Sequence, residues 1–323
     1  MTQQMKAKES PTNGFLIIDK ASGMTSMDVV RRVKQATGKK KGVGHGGTLD
    51  PLAEGVLPIC FGKATRLMEL LVSQTKEYTM TIRLGVTTDT YDSEGVASEE
   101  TTYSHLSRDT IEKALEKFRG TFPQTPPMHS ALKIGGKRLY QLARQGIEVE
   151  REPRLVDVHD INIVGFALPF LTIKTECGRG LYMRSLAHDF GQELGCGAHV
   201  AYLKRTRTGP LSIDGAMSLE EFEKEAYAGN WRNFLQSLDS LLLSYKSTIA
   251  SERTAQLLRN GQAVFLPIQG QRIGHLDTYR IYTECGQFLG LIRYDKPVDR
   301  WVPFKIFNLH ERSPHFDQEH QVR

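Results

Sequence analysis

Hydrophobic residues cluster at 14–19, Gly-Phe-Leu-Ile-Ile-Asp, and this run reads as a short buried strand. Beyond it Ser26 reads as a helix cap, and Val29, Val30, Val33 and Ala36 recur at helical spacing until Gly38 ends the helix. Arg31, Arg32 and Lys34 lie largely off that stripe, so they are expected to face solvent or a partner. Residues 42–51 are glycine-rich and read as a loop. Leu67, Leu70 and Leu71 mark a second helix, and Tyr78, Met80, Ile82 and Leu84 alternate as a strand with one buried face. Ser107 opens another helix, with Ile111, Ala114, Leu115 and Phe118 on its apolar side and Gly120 at its close.

The pattern then changes. Residues 121–153 are rich in proline, glycine and basic residues, with only a short helical signal at 139–143, and the stretch reads as a long mobile excursion. Strands resume at 155–166 and 170–177, followed by a helix with Leu186, Phe190 and Leu194 that ends at Gly195, and a strand at 199–207. Without a regular strand–helix–strand rhythm, the fold class is α+β with a mixed, largely antiparallel sheet. Residues 244–251 turn polar, and several short strands over 249–309 form a small β-rich second module. The expected organisation is a disordered leader at 1–13, a large domain at 14–246, the small module at 247–310 and a disordered tail at 311–323.

Composition narrows the class. With 39% hydrophobic and 24% charged residues the 323-residue chain matches ordinary globular proteins, so it should fold. No run approaches the ~18 apolar residues of a membrane span, and the start lacks the apolar core of a secretory signal, so a cytoplasmic protein is expected. The four cysteines, at 60, 177, 196 and 285, form no C-x-x-C pair and read as reduced, buried thiols. No metal-ligand motif is present.

The net charge of +5 is modest, but its clustering is informative. Six basic residues lie between Arg31 and Lys41 without an acid, including Lys39, Lys40 and Lys41. Lys133, Lys137, Arg138 and Arg144 form a second group, and Lys204, Arg205 and Arg207 a third. Each alone could be a solvated surface face; three together favour a polyanion partner.

Residues 42–51, Gly-Val-Gly-His-Gly-Gly-Thr-Leu-Asp-Pro, are the most unusual string. Glycine allows close backbone approach to a ligand, and Pro51 restricts the residue before it, so Asp50 would be held rather than free. Gly55 and Gly62-Lys63 superficially suggest a phosphate-binding loop. The gap of six residues is too long for that motif, and Ala64 stands where a hydroxyl must reach magnesium.

The string at 44–58, G-H-G-G-T-L-D-P-L-A-x-G-V-L-P, resembles the catalytic signature of the tRNA pseudouridine-55 synthase family. Further similar blocks follow in order: residues 14–19 with Lys20 and Gly23, then 75–78, 83–85 with 88–90, 124–146, 177–184 and 203–206. The resemblance spans about 14–244 and implies a stand-alone, monomeric enzyme that isomerises a T-loop uridine of tRNA to pseudouridine with no cofactor. It implies Asp50 as the catalytic aspartate, Tyr78 as the active-site aromatic and Arg184 as the basic partner of Asp50. His45 would lie against the flipped nucleotide, and Tyr182 and Leu203 would line the uracil pocket. Lys39, Lys40, Lys41, Lys133, Arg138 and Arg144 would contact RNA. The small module resembles a PUA-like RNA-binding domain through strings such as 288–290. Two positions depart from the pattern: Gly46 replaces a common threonine, and His129 stands where tyrosine is frequent. A non-catalytic RNA-folding protein on this scaffold, and a synthase acting on another RNA, are the competing readings.

Overall fold

The computed structural model describes residues 12–130, 132–268 and 272–317. Most of the expected leader and the last six residues of the expected tail lie outside them.

The chain opens with β1 (Gly14–Lys20), α1 (Ser26–Thr37), β2 (Val43–His45) and β3 (Glu54–Phe61). A 3₁₀ turn (Gly62–Leu67) runs into α2 (Met68–Ser73), then β4 (Lys76–Leu84) and α3 (Arg108–Glu116) follow. The next strands and helices are β5 (Gly120–Gln124), β6 (Lys133–Ile134), β7 (Lys137–Arg138), α4 (Leu139–Ala143), β8 (Arg154–Ala167), β9 (Phe170–Cys177) and α5 (Met183–Glu193). After β10 (Ala198–Thr208) come β11 (Leu211–Ser212), β12 (Met217–Ser218), α6 (Leu219–Tyr227), β13 (Ser247–Ala250) and α7 (Glu252–Arg259). β14 (Thr278–Thr283), β15 (Phe288–Asp295) and β16 (Arg300–Ile306) complete the order.

The main sheet runs β12-β1-β3-β10-β4-β9-β8-β5, with β2 added to β3 and β11 to β10. Its pairs are antiparallel except β1–β12 and β3–β10. The second sheet runs β13-β14-β15-β16. The fold is α+β, with a mixed, largely antiparallel main sheet as expected and a small β-rich unit at its carboxyl end.

Strand β1 is buried on both faces, as its unbroken apolar run requires. Leu16 and Ile18 pack with Val29, Val30 and Val33 of α1 and with α5 and α6 in the principal core. Phe15 and Ile17 point the other way, into a second core shared with Tyr282, Phe288, Leu291 and Phe307 of the carboxy-terminal part.

Several expectations change. Thr25, not Ser26, caps α1: its hydroxyl accepts from Asp28 N and Asp28 Oδ2 accepts from Thr25 N, a reciprocal box. Ser26 is instead buried and exchanges hydrogen bonds with both backbone groups of Leu49, at 3.0 and 2.8 Å. Gly120 (φ 74°) begins β5 rather than closing α3, which ends at Glu116. The excursion holds more regular structure than its composition suggests. Gly135 and Gly136, both at positive φ, turn the β6–β7 hairpin, and Leu139 anchors α4 in the interior. The described part of the tail is ordered by packing: Phe316 enters the second core and the Ser313 hydroxyl donates to buried Asp239. Cys60, Cys177 and Cys196 are buried, but Cys285 is exposed.

Candidate active site

Asp50 sits on the loop between β2 and β3, and this loop is fastened along its length. Gly46 N donates to Pro58 O (2.8 Å), and Gly23 N donates to Pro51 O (2.9 Å). Leu49 is gripped by Ser26. Lys20 is fully buried, and its ammonium donates to Ala21 O, Met24 O and Pro51 O at 2.9, 2.8 and 3.1 Å. Burial lowers the Lys20 pKa to about 8, against the opposing pull of Asp50 and Glu54. Backbone carbonyls, the groups a loop leaves unpaired, are therefore met by buried side-chain donors.

Arg184 lies in the first turn of α5 and is buried rather than on the helix surface. Its Nε donates to Asp50 Oδ2 at 2.9 Å. Nη1 lies 3.4 Å from Asp92 Oδ2 and donates to Thr90 O (3.2 Å), while Nη2 donates to His129 O (2.8 Å). One planar fork thus joins the Asp50 loop, the 88–95 segment and the start of the excursion. The Arg184 and Asp92 side chains are 6% and 4% exposed, whereas that of Asp50 is 36% exposed. Asp50 is consequently the accessible end of a buried charge network.

Tyr78 and Tyr182 stand close enough to feel the Asp50 charge. Tyr78 on β4 lies opposite Arg205 of β10, and Leu203 lies opposite Met80. Burial raises the Tyr78 phenol, and the Arg205 charge opposes that rise. Tyr182 precedes α5; its N–H donates to Gln124 Oε1 (2.9 Å) and its carbonyl accepts from Gln124 Nε2 (3.1 Å), which ties it to β5. Burial raises its phenol as well. His45 ends β2, and burial followed by the Arg205 charge lowers its pKa, favouring a neutral imidazole.

The basic groups separate. Lys133 and Arg138 pair across the exposed β6–β7 hairpin, and Arg138 and Arg144 flank the Tyr140 ring at 6.0 and 5.6 Å. Lys40 and Lys41 are exposed beyond α1. Arg32 is not turned toward a partner molecule: Glu223 of α6 grips it at 2.7 and 2.5 Å. The third cluster is engaged within the protein. Lys204 pairs with Asp19 (3.2 Å), Arg207 with Glu176 (2.9 Å), and Arg205 is buried. Lys20, Asp92 and Arg205 were not singled out as site residues by sequence reasoning. The string Thr88-Asp-Thr-Tyr-Asp92 carried a signal for Asp92, being acidic beside a matched block.

Two family models cover consecutive parts of the chain: the N-terminal domain of TruB family pseudouridylate synthase over residues 34–183, and the tRNA pseudouridylate synthase B C-terminal domain over 184–248. The chain belongs to the TruB family of pseudouridylate synthases. Relatives named tRNA pseudouridine synthase B occur in Clostridium tetani (40% identity, 86% of this chain and 94% of the relative) and Clostridium novyi (41%, with the same coverage). Another so named, from Dehalococcoides mccartyi, is 40% identical over 91% of this chain and 96% of its own. The fold is also similar to a chain in the crystal structure of a Cbf5-Nop10-Gar1 complex, with a TM-score of 0.71, 23% identity, and coverage of 93% of this chain and 86% of that one.

Proposed function

We propose that the protein acts alone, as a cytoplasmic monomer, to convert the T-loop uridine at position 55 of tRNA to pseudouridine, with Asp50 as its catalytic carboxylate. The observation that carries this reading is the Asp50–Arg184 pair. A half-exposed carboxylate is held by a buried guanidinium, on a loop secured by Lys20 and Ser26, within a family that makes pseudouridine.

The reaction breaks the bond from uracil N1 to ribose C1′ and forms one from C5 to C1′. The C5 proton leaves and N1 gains one, so atoms and electrons balance within the substrate and no cofactor is required. A stacked loop uridine must first be extruded, at a cost of roughly a few kcal/mol. Tyr78, Tyr182 and the neutral His45 imidazole offer the flipped nucleotide aromatic and apolar contacts, and Leu203 helps line the uracil pocket. Asp50 then stabilises or attacks the electron-poor ribose, or takes a ribose proton to give a glycal; both routes need a carboxylate at this place. Arg184 holds that carboxylate in place through a charge-assisted hydrogen bond from its buried guanidinium. Lys39, Lys40, Lys41, Lys133, Arg138 and Arg144 hold phosphates of the T-stem and loop and supply salt-sensitive affinity.

The test is tritium release from tRNA carrying C5-tritiated uridine, with the product mapped. Wild type should release tritium at one T-loop position, and Asp50→Asn should not, while binding tRNA almost as tightly because binding is spread over many contacts. Tight binding without release by either protein would instead support the RNA-folding reading.

A further inference from the structure

Arg205 of β10 is 2% exposed, and its guanidinium donates to carbonyls on the loop that carries Asp50 and on the strand β3 that this loop leads into. Nη2 donates to Gly47 O (3.2 Å) and Nη1 to Thr48 O (3.3 Å), on the limb that enters Asp50. Nε donates to Val56 O (2.8 Å), on the limb that leaves it. Only a planar fork reaches three carbonyls in these directions at once; an ammonium on a lysine stem is a point donor. The backbone of the same residue also presses on the loop. Arg205 pairs with Gly55, where a Cβ would stand 2.1 Å from the Arg205 carbonyl oxygen, so the departing limb has a single path past β10.

The position of Arg205 couples this grip to the pocket. It faces Tyr78 across the β4–β10 pairing and follows Leu203 by two residues on the same strand. Its charge acts on Tyr78 and on His45, lowering the proton affinity of each. A strut serving only the general core would not bind carbonyls on both sides of Asp50 while facing Tyr78.

We propose that Arg205 is a positioning residue for the isomerisation: its guanidinium fastens the loop entering Asp50 and the strand β3 leaving it to β10, and so sets where Asp50 stands relative to Tyr78 and Leu203. The inference rests on the assignment of Asp50 made above. The experiment compares wild type, Arg205→Lys, Arg205→Met and Asp50→Asn as full chains. It measures single-turnover tritium release, tRNA affinity, circular dichroism and the His45 titration by NMR. Displacement of a reacting group by about 1 Å is worth about 100-fold in rate. Arg205→Lys should therefore fold and bind tRNA within about 3-fold of wild type while losing rate by about that factor. Arg205→Met should raise the His45 midpoint by removing the neighbouring charge, and Arg205→Lys should leave it nearly unchanged. Full rate in Arg205→Lys overturns the proposal, as does loss of rate only in step with loss of folded protein or tRNA affinity. Tritium release by Asp50→Asn would sink the reading of the site itself, whichever way Arg205 behaves.

Discussion

Arg184→Met removes the guanidinium from a network whose members differ in exposure, and that difference sets the size of the effect. At the Asp50 end water screens the charge, so this link is worth less than about 1 kcal/mol. Asp92 has no such relief. Its side chain is 4% exposed, and its other oxygen is committed to Thr90 Oγ1 (2.6 Å) and Glu94 N (3.1 Å). Deleting one member of a buried ion pair costs about 3–5 kcal/mol, because the other charge stays desolvated. For a chain of this size each kcal/mol lowers Tm by about 2–4 °C, so a fall on the order of 10 °C is expected. Asp92→Asn in the Arg184→Met background removes the stranded charge, and the coupling between the two sites should be about 1.5–3 kcal/mol. Urea unfolding of the four proteins, followed by the fluorescence of Trp231 and Trp301, measures the cycle. Effects that add within about 0.5 kcal/mol would refute the reasoning, since they would mean that Asp92 does not depend on Arg184 for its charge.

Alanine at Lys39, Lys40 and Lys41 together should weaken tRNA binding and reduce its dependence on log salt by roughly one to three units of slope; an unchanged slope would place the RNA elsewhere. At Gly46 a Cβ would stand 2.4 Å from Leu71 Cδ1, a fully buried side chain. Gly46→Thr should therefore cost about 1–3 kcal/mol, and Leu71→Ala should cost less in that background than alone, as denaturant titration would show. Ending the chain after residue 310 removes Phe316 from the second core and the Ser313 donor from Asp239, for a loss of about 2–4 kcal/mol. An unaltered urea midpoint would contradict the role of the tail.

Periodicity read the interior well because core-forming residues announce themselves locally. The alternation from Tyr78 to Leu84 is β4, the stripe Val29, Val30, Val33 faces the principal core, and Asp50 stands on a restrained loop as glycine and proline required. What was not legible lies in contacts between distant residues. The basic run from Arg31 to Lys41 holds no acid of its own, yet Glu223 arrives from 191 residues away to neutralise Arg32. Arg205 looked like a surface charge because the carbonyls it serves lie 149–158 residues earlier. The tail at 311–317 is poor in apolar residues, but one phenylalanine finding a shared core and one serine meeting a buried carboxylate are enough to order it. Thr25 displaced Ser26 as the cap because Ser26 was needed inward by Leu49, a competition no local pattern reveals.

β1 has no spare face. Leu16 and Ile18 complete the core beneath the main sheet, and Phe15 and Ile17 complete the one beneath the carboxy-terminal sheet. A strand used in this way makes melting contagious. Unzipping it strips support from the Asp50 loop, because β1 pairs along the whole of β3 and ends in Lys20, and in the same motion it bares Phe288, Leu291 and Phe307. The appended sheet is thus not an accessory that the enzyme could drop at will; its loss would be felt at the Asp50 loop as loss of cooperativity.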